Sequence, residues 1–348
     1  MVATIKPILA ITMGDPAGIG PEVTMRAWSS LLVHEHVRPV VVGHPKVMHR
    51  AAELVGATLE IVELDSIECL DSMPVGPETV PVIHVGSDEV TWLRAGRVDA
   101  RAGEAAFQYV TAAVRLALEK KIDGLVTAPL SKSALHAAGH FYPGHTELLA
   151  KMCGVREFAM MLYLPPGEQV RSPNGLGVAH VTLHQSLKSV FADLTPAAIV
   201  AKCRLADGVM RRLCVTAPRV AVCALNPHAG EDGLFGDEES TIIRPAVEEA
   251  RRAGIDAAGP FPTDTLMMRA RDGEFDAVVA MYHDQGHIAL KLLGMHAAVN
   301  ITLGLPIVRT SVAHGTAFDR AWQGTARGEG MVAAILTAAK LVRNSANQ

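Results

Sequence analysis

Aromatic side chains are scarce, with three Trp, four Tyr and eight Phe in 348 residues. Surfaces that hold single-stranded nucleic acid stack bases on aromatic rings, and all nucleic-acid surfaces track phosphates with basic charge. Here the net charge is −4 and no block of like charge stands out, so a nucleic-acid partner is not expected. Cysteines are few, scattered and odd in number, at Cys69, Cys153, Cys203, Cys214 and Cys223, with no C-x-x-C pair. That excludes a disulfide framework and a thiolate metal site, and points to reduced thiols in a cytoplasm. Long hydrophobic runs are missing too, since nothing approaches the ~18 consecutive apolar residues of a membrane helix. The opening MVATIKPILAITMGDPAGIG has one lysine and an apolar run too soon broken for a signal peptide. Neither a membrane nor an export route is expected.

What is present is apolar content of 49%, enough to exclude disorder and to build two cores. Short β-branched runs alternate with amphipathic stretches along the whole chain. Segments 8–13, 38–43, 58–64, 124–129, 158–164, 176–181, 219–225, 276–282 and 298–304 read as strands, and IVRTSV at 307–312 is strand-like. Several are apolar throughout, the pattern of strands covered on both faces. Helices are expected at 100–120, at 195–213 opening on Thr195 and Pro196, and at 237–254 closing at Gly254. The stretch 165–177, PPGEQVRSPNGLG, is turn chemistry and reads as an exposed hairpin or inserted loop. Strand–helix alternation on this scale predicts an α/β fold with a mostly parallel sheet.

Open α/β sheets bind ligands beyond the carboxyl ends of their strands. Three apolar runs deliver a histidine there: His180, His228 and His283. Neutral imidazole is a common ligand of divalent metals, and three protein ligands with an open position make a catalytic metal site. Asp284 stands ready to orient His283 or to add a carboxylate. His283 and His287 also have the four-residue spacing of H-E-x-x-H, but Gly286 is expected to interrupt a helix there, which argues against a metalloprotease. GDPAGIGPE, residues 14–22, joins a strand to a helix starting near Pro21, and a glycine-rich turn of this kind brings backbone N–H groups to an anion. In PGHTELL, His145 or Thr146 is placed to cap a helix. Lys291, Asn300 and Arg309 supply cationic and amide groups of the sort that grip phosphate or carboxylate.

Assembled, the segments TMGDPAGIGPE, TAPLSKSALHAAG, YPGHTELLA, LNPHAGEDGLFGDEE, MYHDQGHIALKLLG and VNITLGLPIVRTSVAHGTAFD are specific. From about residue 8 to residue 325 the sequence resembles the 4-hydroxythreonine-4-phosphate dehydrogenase family, and it is most similar to the branch with 4-phospho-D-threonate and 4-phospho-D-erythronate dehydrogenases. The resemblance implies a two-lobed fold like that of isocitrate and isopropylmalate dehydrogenases, with an interlobe cleft. Lobe one would be residues 1–130 with 295–348, carrying dinucleotide-binding elements, and lobe two residues 131–294, carrying metal ligands and dimer contacts. By the same resemblance His180, His228 and His283 hold one divalent metal, and His145, Thr146, Lys291, Asn300 and Arg309 bind substrate. Gly14, Asp15 and Gly18, together with His314, Gly315, Thr316 and Asp319, belong to the cofactor segments. Asp264 is the candidate proton acceptor, with helix capping as its other reading.

The implied chemistry is NAD-dependent oxidation at C3 of a 4-phosphorylated hydroxy acid, followed by decarboxylation, in a homodimer with shared active sites. NADP is an alternative to NAD, and zinc is favoured over cobalt, nickel, manganese and magnesium. Ala179, Thr182, Ala289 and the 165–177 insertion depart from the family pattern near the metal histidines, which leaves the substrate open. The rival readings are the same reaction on a carboxylated cis-dihydrodiol such as that of terephthalate, and a catalytically silent relative that binds a metabolite.

Overall fold

The computed structural model describes residues 6–73 and 76–345. In chain order the strands are β1 (Ile8–Thr12), β2 (Arg38–Gly43), β3 (Glu60–Leu64), β4 (Thr79–His84), β5 (Gly124–Thr127), β6 (Ala159–Leu164), β7 (Leu176–His180), β8 (Arg219–Cys223), β9 (Asp256–Phe261), β10 (Ala277–Ala280), β11 (Val299–Leu303) and β12 (Val308–Val312). Contacts divide the chain into two units. One runs to Val155 and resumes at Leu305, and the other is Arg156–Gly304. The sequence puts both divisions earlier, at 130/131 and 294/295. The difference arises because the helix His145–Met152 packs on the helix Ala100–Leu118, while β11 pairs with β6.

In the first unit six strands lie in the order β3-β4-β2-β1-β5-β12, every pair parallel. The second unit has the order β11-β6-β7-β10-β8-β9. There β6 runs antiparallel to both neighbours, and the other pairs are parallel. The α/β class and the mostly parallel sheet are as the alternation of patterns requires. Every residue of β5, β7 and β10 is buried, which explains their unbroken apolar runs. Two strands were hidden in the sequence. β4 contains Pro81, a residue that depletes strands, and β9 carries Gly259 and Pro260 at the edge of its sheet.

Helix signals hold closely. Asp99 accepts the Arg101 N–H at 2.9 Å and opens Ala100–Leu118, and Thr195 Oγ1 accepts the Ala198 N–H at 3.2 Å and opens Pro196–Arg212. The expected 237–254 helix differs. A wide turn at Glu239–Ile243 precedes the α-helix Arg244–Arg252, whose first turn contains Pro245. Gly254 follows with φ +85°, the left-handed conformation glycine adopts at helix ends.

The helix Ala100–Leu118 approaches Lys132–Ala137 so closely that a methyl group on Gly103 would overlap the Ala134 carbonyl. Gly208, inside Pro196–Arg212, faces open space. Gly103→Ala should therefore lower stability by about 1–3 kcal/mol through overpacking, whereas Gly208→Ala should raise it by about 1 kcal/mol. Urea-unfolding midpoints of the two variants, moving in opposite directions, check this.

Candidate active site

In the second unit β10 lies between β7 and β8, and all three point the same way. Their carboxyl ends are therefore adjacent. His180 is the last residue of β7, His283 opens the helix His283–Gly294 after β10, and His228 lies in the turn after β8. Gln285 ties these ends together, its Nε2 donating to Ala224 O at 2.7 Å and to Thr263 Oγ1 at 3.0 Å. Thr263 begins the helix Thr263–Arg271, which carries Asp264 exposed on its first turn with Oδ1 accepting the Thr265 N–H.

His180 is fully buried, and its Nδ1 donates to the Met160 carbonyl at 3.3 Å. Its Nε2 faces His287 Nδ1 at 3.1 Å. His287 in turn stacks on His283, with ring centroids 3.7 Å apart. Burial pushes the His180 pKa down to about 4, against the pull of the Met160 carbonyl and with help from neighbouring imidazoles. Burial, His180, His283 and Lys291 push His287 to about 2. Both rings are thus neutral at pH 7, the form in which imidazole binds a metal. His283 Nδ1 donates to Asp284 Oδ1 at 2.6 Å, the orienting contact expected of that carboxylate. An open cavity of about 530 Å³ is lined by His184, Gln185, Tyr282, His283 and Asp284 among others.

One expectation is corrected here. Gly286 does not break the helix, which runs unbroken from His283 to Gly294 and puts His283 and His287 on one face. Glycine is required because a Cβ would lie 2.5 Å from His180 Nε2 and 2.7 Å from Val178 Cγ1. The helix start rides directly on β7, a close approach rather than an interruption. Sequence reasoning used His287 only for the protease spacing and passed over His184. The structure brings both into the cluster, with His184 and His283 centroids 5.9 Å apart.

His228 sits on strained backbone. Residues 228–232 all have positive φ, from 43° to 82°, and four of the five are not glycine. Such strain persists only where surroundings enforce it. Glu239, buried beneath, accepts the Leu225 N–H at 2.8 Å, the Asn226 N–H at 2.7 Å and Asn226 Nδ2 at 3.0 Å. Burial alone would raise the Glu239 pKa, but these hydrogen bonds outweigh it and hold the carboxyl below its usual range. Glu239 was not singled out from sequence, where it is one acid in the run GDEES. As a set, the ligating atoms of His180, His228 and His283 are not within 4.8 Å of one another. Asn300, on β11, has a buried Oδ1 without a hydrogen-bond partner among the described residues.

The first unit gathers the other candidates. Arg309 on β12 is 1% exposed and donates from Nη2 to Thr127 Oγ1 at 2.6 Å. Burial lowers its pKa to about 9, offset in part by the Glu147 carboxylate. His145 is pushed well below its ordinary value by burial and by the charges of Arg309 and Lys132. Its Nε2 is buried without a hydrogen-bond partner among the described residues. Neither His145 nor Thr146 is the N-cap of the helix His145–Met152, since that position is Gly144, which has no side chain to bond the first turn. Uncapped N–H groups beside a buried arginine and an unsatisfied imidazole form a place for an anion.

The turn at 14–18 meets the 314–322 segment. Ile19 N–H donates to Thr316 O at 3.1 Å, Trp322 Nε1 donates to Pro16 O at 2.9 Å, and a Cβ on Gly18 would lie 3.1 Å from Thr316 O. Gly14, at φ +73°, is pressed against Pro129 O. These glycines are thus explained by backbone packing, while Gly315 has open space above it. Asp15 is buried, and burial raises its pKa to about 6.

Residues 35–338 match the family model described as pyridoxal phosphate biosynthetic protein PdxA. The D-threonate 4-phosphate dehydrogenase of Salmonella typhimurium is 45% identical over 96% of this chain and 98% of its own. The chain belongs to the PdxA family. Among solved structures similar to this chain, 4-hydroxythreonine-4-phosphate dehydrogenase from Klebsiella pneumoniae is 43% identical with a TM-score of 0.84, covering 97% of this chain and 100% of that one. Terephthalate 1,2-cis-dihydrodiol dehydrogenase from Burkholderia xenovorans is 29% identical with a TM-score of 0.63, over 96% and 98% of the two chains.

The buried neutral histidines of this PdxA-family chain set its behaviour in acid. His180 takes a proton near 6.5 when unfolded but only near 4 when folded, so its contribution is complete above pH 6.5 and lost as pH falls towards 4. The loss amounts to roughly 3 kcal/mol for this residue. Protein kept in chelator should show a urea midpoint that falls steeply from pH 6.5 to 4.5, and His180→Asn should flatten that slope; an unchanged slope would reject the assignment.

Proposed function

We propose that the protein is an NAD-dependent, divalent-metal-dependent dehydrogenase that oxidises a 4-phosphorylated hydroxy acid at C3, with loss of CO2. The observation that carries this reading is the delivery of His180, His228 and His283 by the carboxyl ends of three adjacent parallel strands. Imidazoles held by a backbone carbonyl and by Asp284 are a donor set suited to zinc, cobalt, nickel or manganese. When bound, such an ion supplies Lewis acidity towards a substrate hydroxyl and its neighbouring oxygen.

The chain's own groups account for the rest. Arg309 and the uncapped turn at His145 and Thr146 hold an anionic group, phosphate or carboxylate, by charge-assisted hydrogen bonds. In the second unit, Lys291 supplies a cation and Asn300 a buried amide oxygen without a hydrogen-bond partner among the described residues, and both are candidate substrate contacts. Asp264, on a helix tied to the histidine-bearing ends through Gln285 and Thr263, is our candidate proton acceptor. Gly14, Asp15, Gly18, His314, Gly315, Thr316 and Asp319 are assigned to NAD, with NADP as the alternative. A homodimer with shared sites is supported by exposed Leu187, Phe191, Ile288 and Leu292, apolar side chains that a partner would cover. No helix among the described residues is long and apolar enough to cross a membrane. We assign the protein to the cytoplasm, where its cysteines, none in a disulfide, stay reduced.

The phosphorylated substrate is preferred over a cis-dihydrodiol because the relatives so named are more similar to this chain in sequence and structure. NADH formation with 4-phospho-D-threonate, 4-phospho-D-erythronate, 4-phosphohydroxy-L-threonine and a carboxylated dihydrodiol tests the reading, with turnover expected on one of the first three. His228→Ala should lose metal and at least ~100-fold in rate, since metal ligands commonly carry several kcal/mol of catalysis. Binding without turnover on all four would identify a silent relative, and full activity after chelation would remove the metal from the reaction.

A further inference from the structure

The first unit carries a separate group of metal-type side chains. β2 and β4 are parallel neighbours whose ends are in register, Gly43 opposite His84. His44 follows β2 and precedes the helix Pro45–Leu54, while Asp88 opens the short 3₁₀ turn Asp88–Trp92. Two parallel strands and the turn that leaves the second thus bring two imidazoles and a carboxylate to one place. One ligating atom from each of His44, His84 and Asp88 lies within 4.8 Å of the others. His44 Nε2 is 2.9 Å from Asp88 Oδ1, and the two imidazole rings meet edge to face with centroids 4.5 Å apart.

The surroundings are those of a held ligand set. His84 Nδ1 donates to Glu63 Oε1 on β3 at 2.8 Å, which leaves Nε2 as the ligating nitrogen. A carboxylate behind a histidine is the contact that fixes ring orientation and raises ligand basicity at metal centres. Lys46 Nζ takes Asp88 Oδ2 at 2.9 Å, leaving Oδ1 on the side of the imidazoles. His44 is completely buried, so its ring is fixed by packing, while His84 and Asp88 are exposed and give an ion a way in. With Glu63 and Asp88 negative and Lys46 positive, the fixed charge is −1, which favours a dication.

We propose that His44, His84 and Asp88 form a second metal site, for a divalent transition ion of the zinc, cobalt or nickel class, with the remaining position open to water. Two nitrogens and one carboxylate oxygen suit these ions, whereas magnesium and calcium call for mostly oxygen donors. The ion would clamp the turn Asp88–Trp92 to the ends of β2 and β4. The site shares no residue with the histidine cluster of the second unit, and stands or falls without it.

Full-length protein, stripped by chelation, is titrated with zinc against a chromophoric chelator and its bound metal counted by elemental analysis. One equivalent per chain is expected to vanish in His84→Asn and in Asp88→Asn and to survive in His283→Ala. Glu63→Gln should keep the ion but bind it about 10–100-fold more weakly. Both ligand substitutions are at exposed side chains, and an unchanged urea midpoint without metal verifies the fold. Zinc should raise the thermal midpoint of His283→Ala but not that of the His84→Asn/His283→Ala double variant. If that double variant binds as much zinc as His283→Ala alone, the site does not exist. If His283→Ala binds as much zinc as the parent, the second-unit reading fails while this one stands.

Discussion

Parallel pairing of β7, β10 and β8 is the constraint on which the candidate chemistry rests. Parallel strands end on the same side, so His180 and His283 meet directly at the ends of β7 and β10, while His228 stands farther on, in the strained turn after β8. Register does the positioning, with Ala280 opposite His180 and Val279 opposite Val222. Shifting one strand by a residue would turn its terminal side chain to the opposite face of the sheet. The same logic works in the first unit, where β5 and β12 align Thr127 with Ser311 and bring Arg309 against the Thr127 hydroxyl.

Much of this was legible in the sequence because strand ends are marked by the stop of an apolar run. His180, His228 and His283 were readable that way, and so was the α/β class. What stayed hidden depends on contacts between segments distant in sequence. Gly286 looks like a helix breaker in isolation, yet it is the residue that lets a helix lie against His180 and Val178. Glu239 gives no local signal, because its three hydrogen bonds reach back to Leu225 and Asn226. The group around His44 was equally invisible, since β4 was masked by Pro81 and its pairing with β2 was not foreseen. The histidine grouping was only partly legible, for the chain brings His287 to His180 while His180, His228 and His283 do not close within 4.8 Å of one another.

The two units use burial in different ways. In the first, a cation and an imidazole share a dry place, so Arg309 is held below its ordinary pKa and His145 is kept neutral. In the second, imidazole is set against imidazole, and desolvation keeps the group uncharged. Desolvation is costly to stability in both cases. It also prepares groups that exchange water for a ligand with little reorganisation, which is where binding sites gain their selectivity.

The contact between His180 and the Met160 carbonyl has a further consequence. A carbonyl oxygen can only accept, so His180, being neutral, keeps its hydrogen on Nδ1 and presents a lone pair at Nε2. His287 Nδ1 must then be the donor between the rings, and the lone pair of that second imidazole is left on its Nε2. One backbone oxygen on β6 thereby dictates the tautomers of two side chains in succession. Because the instruction comes from the main chain, replacing the Met160 side chain leaves it in place.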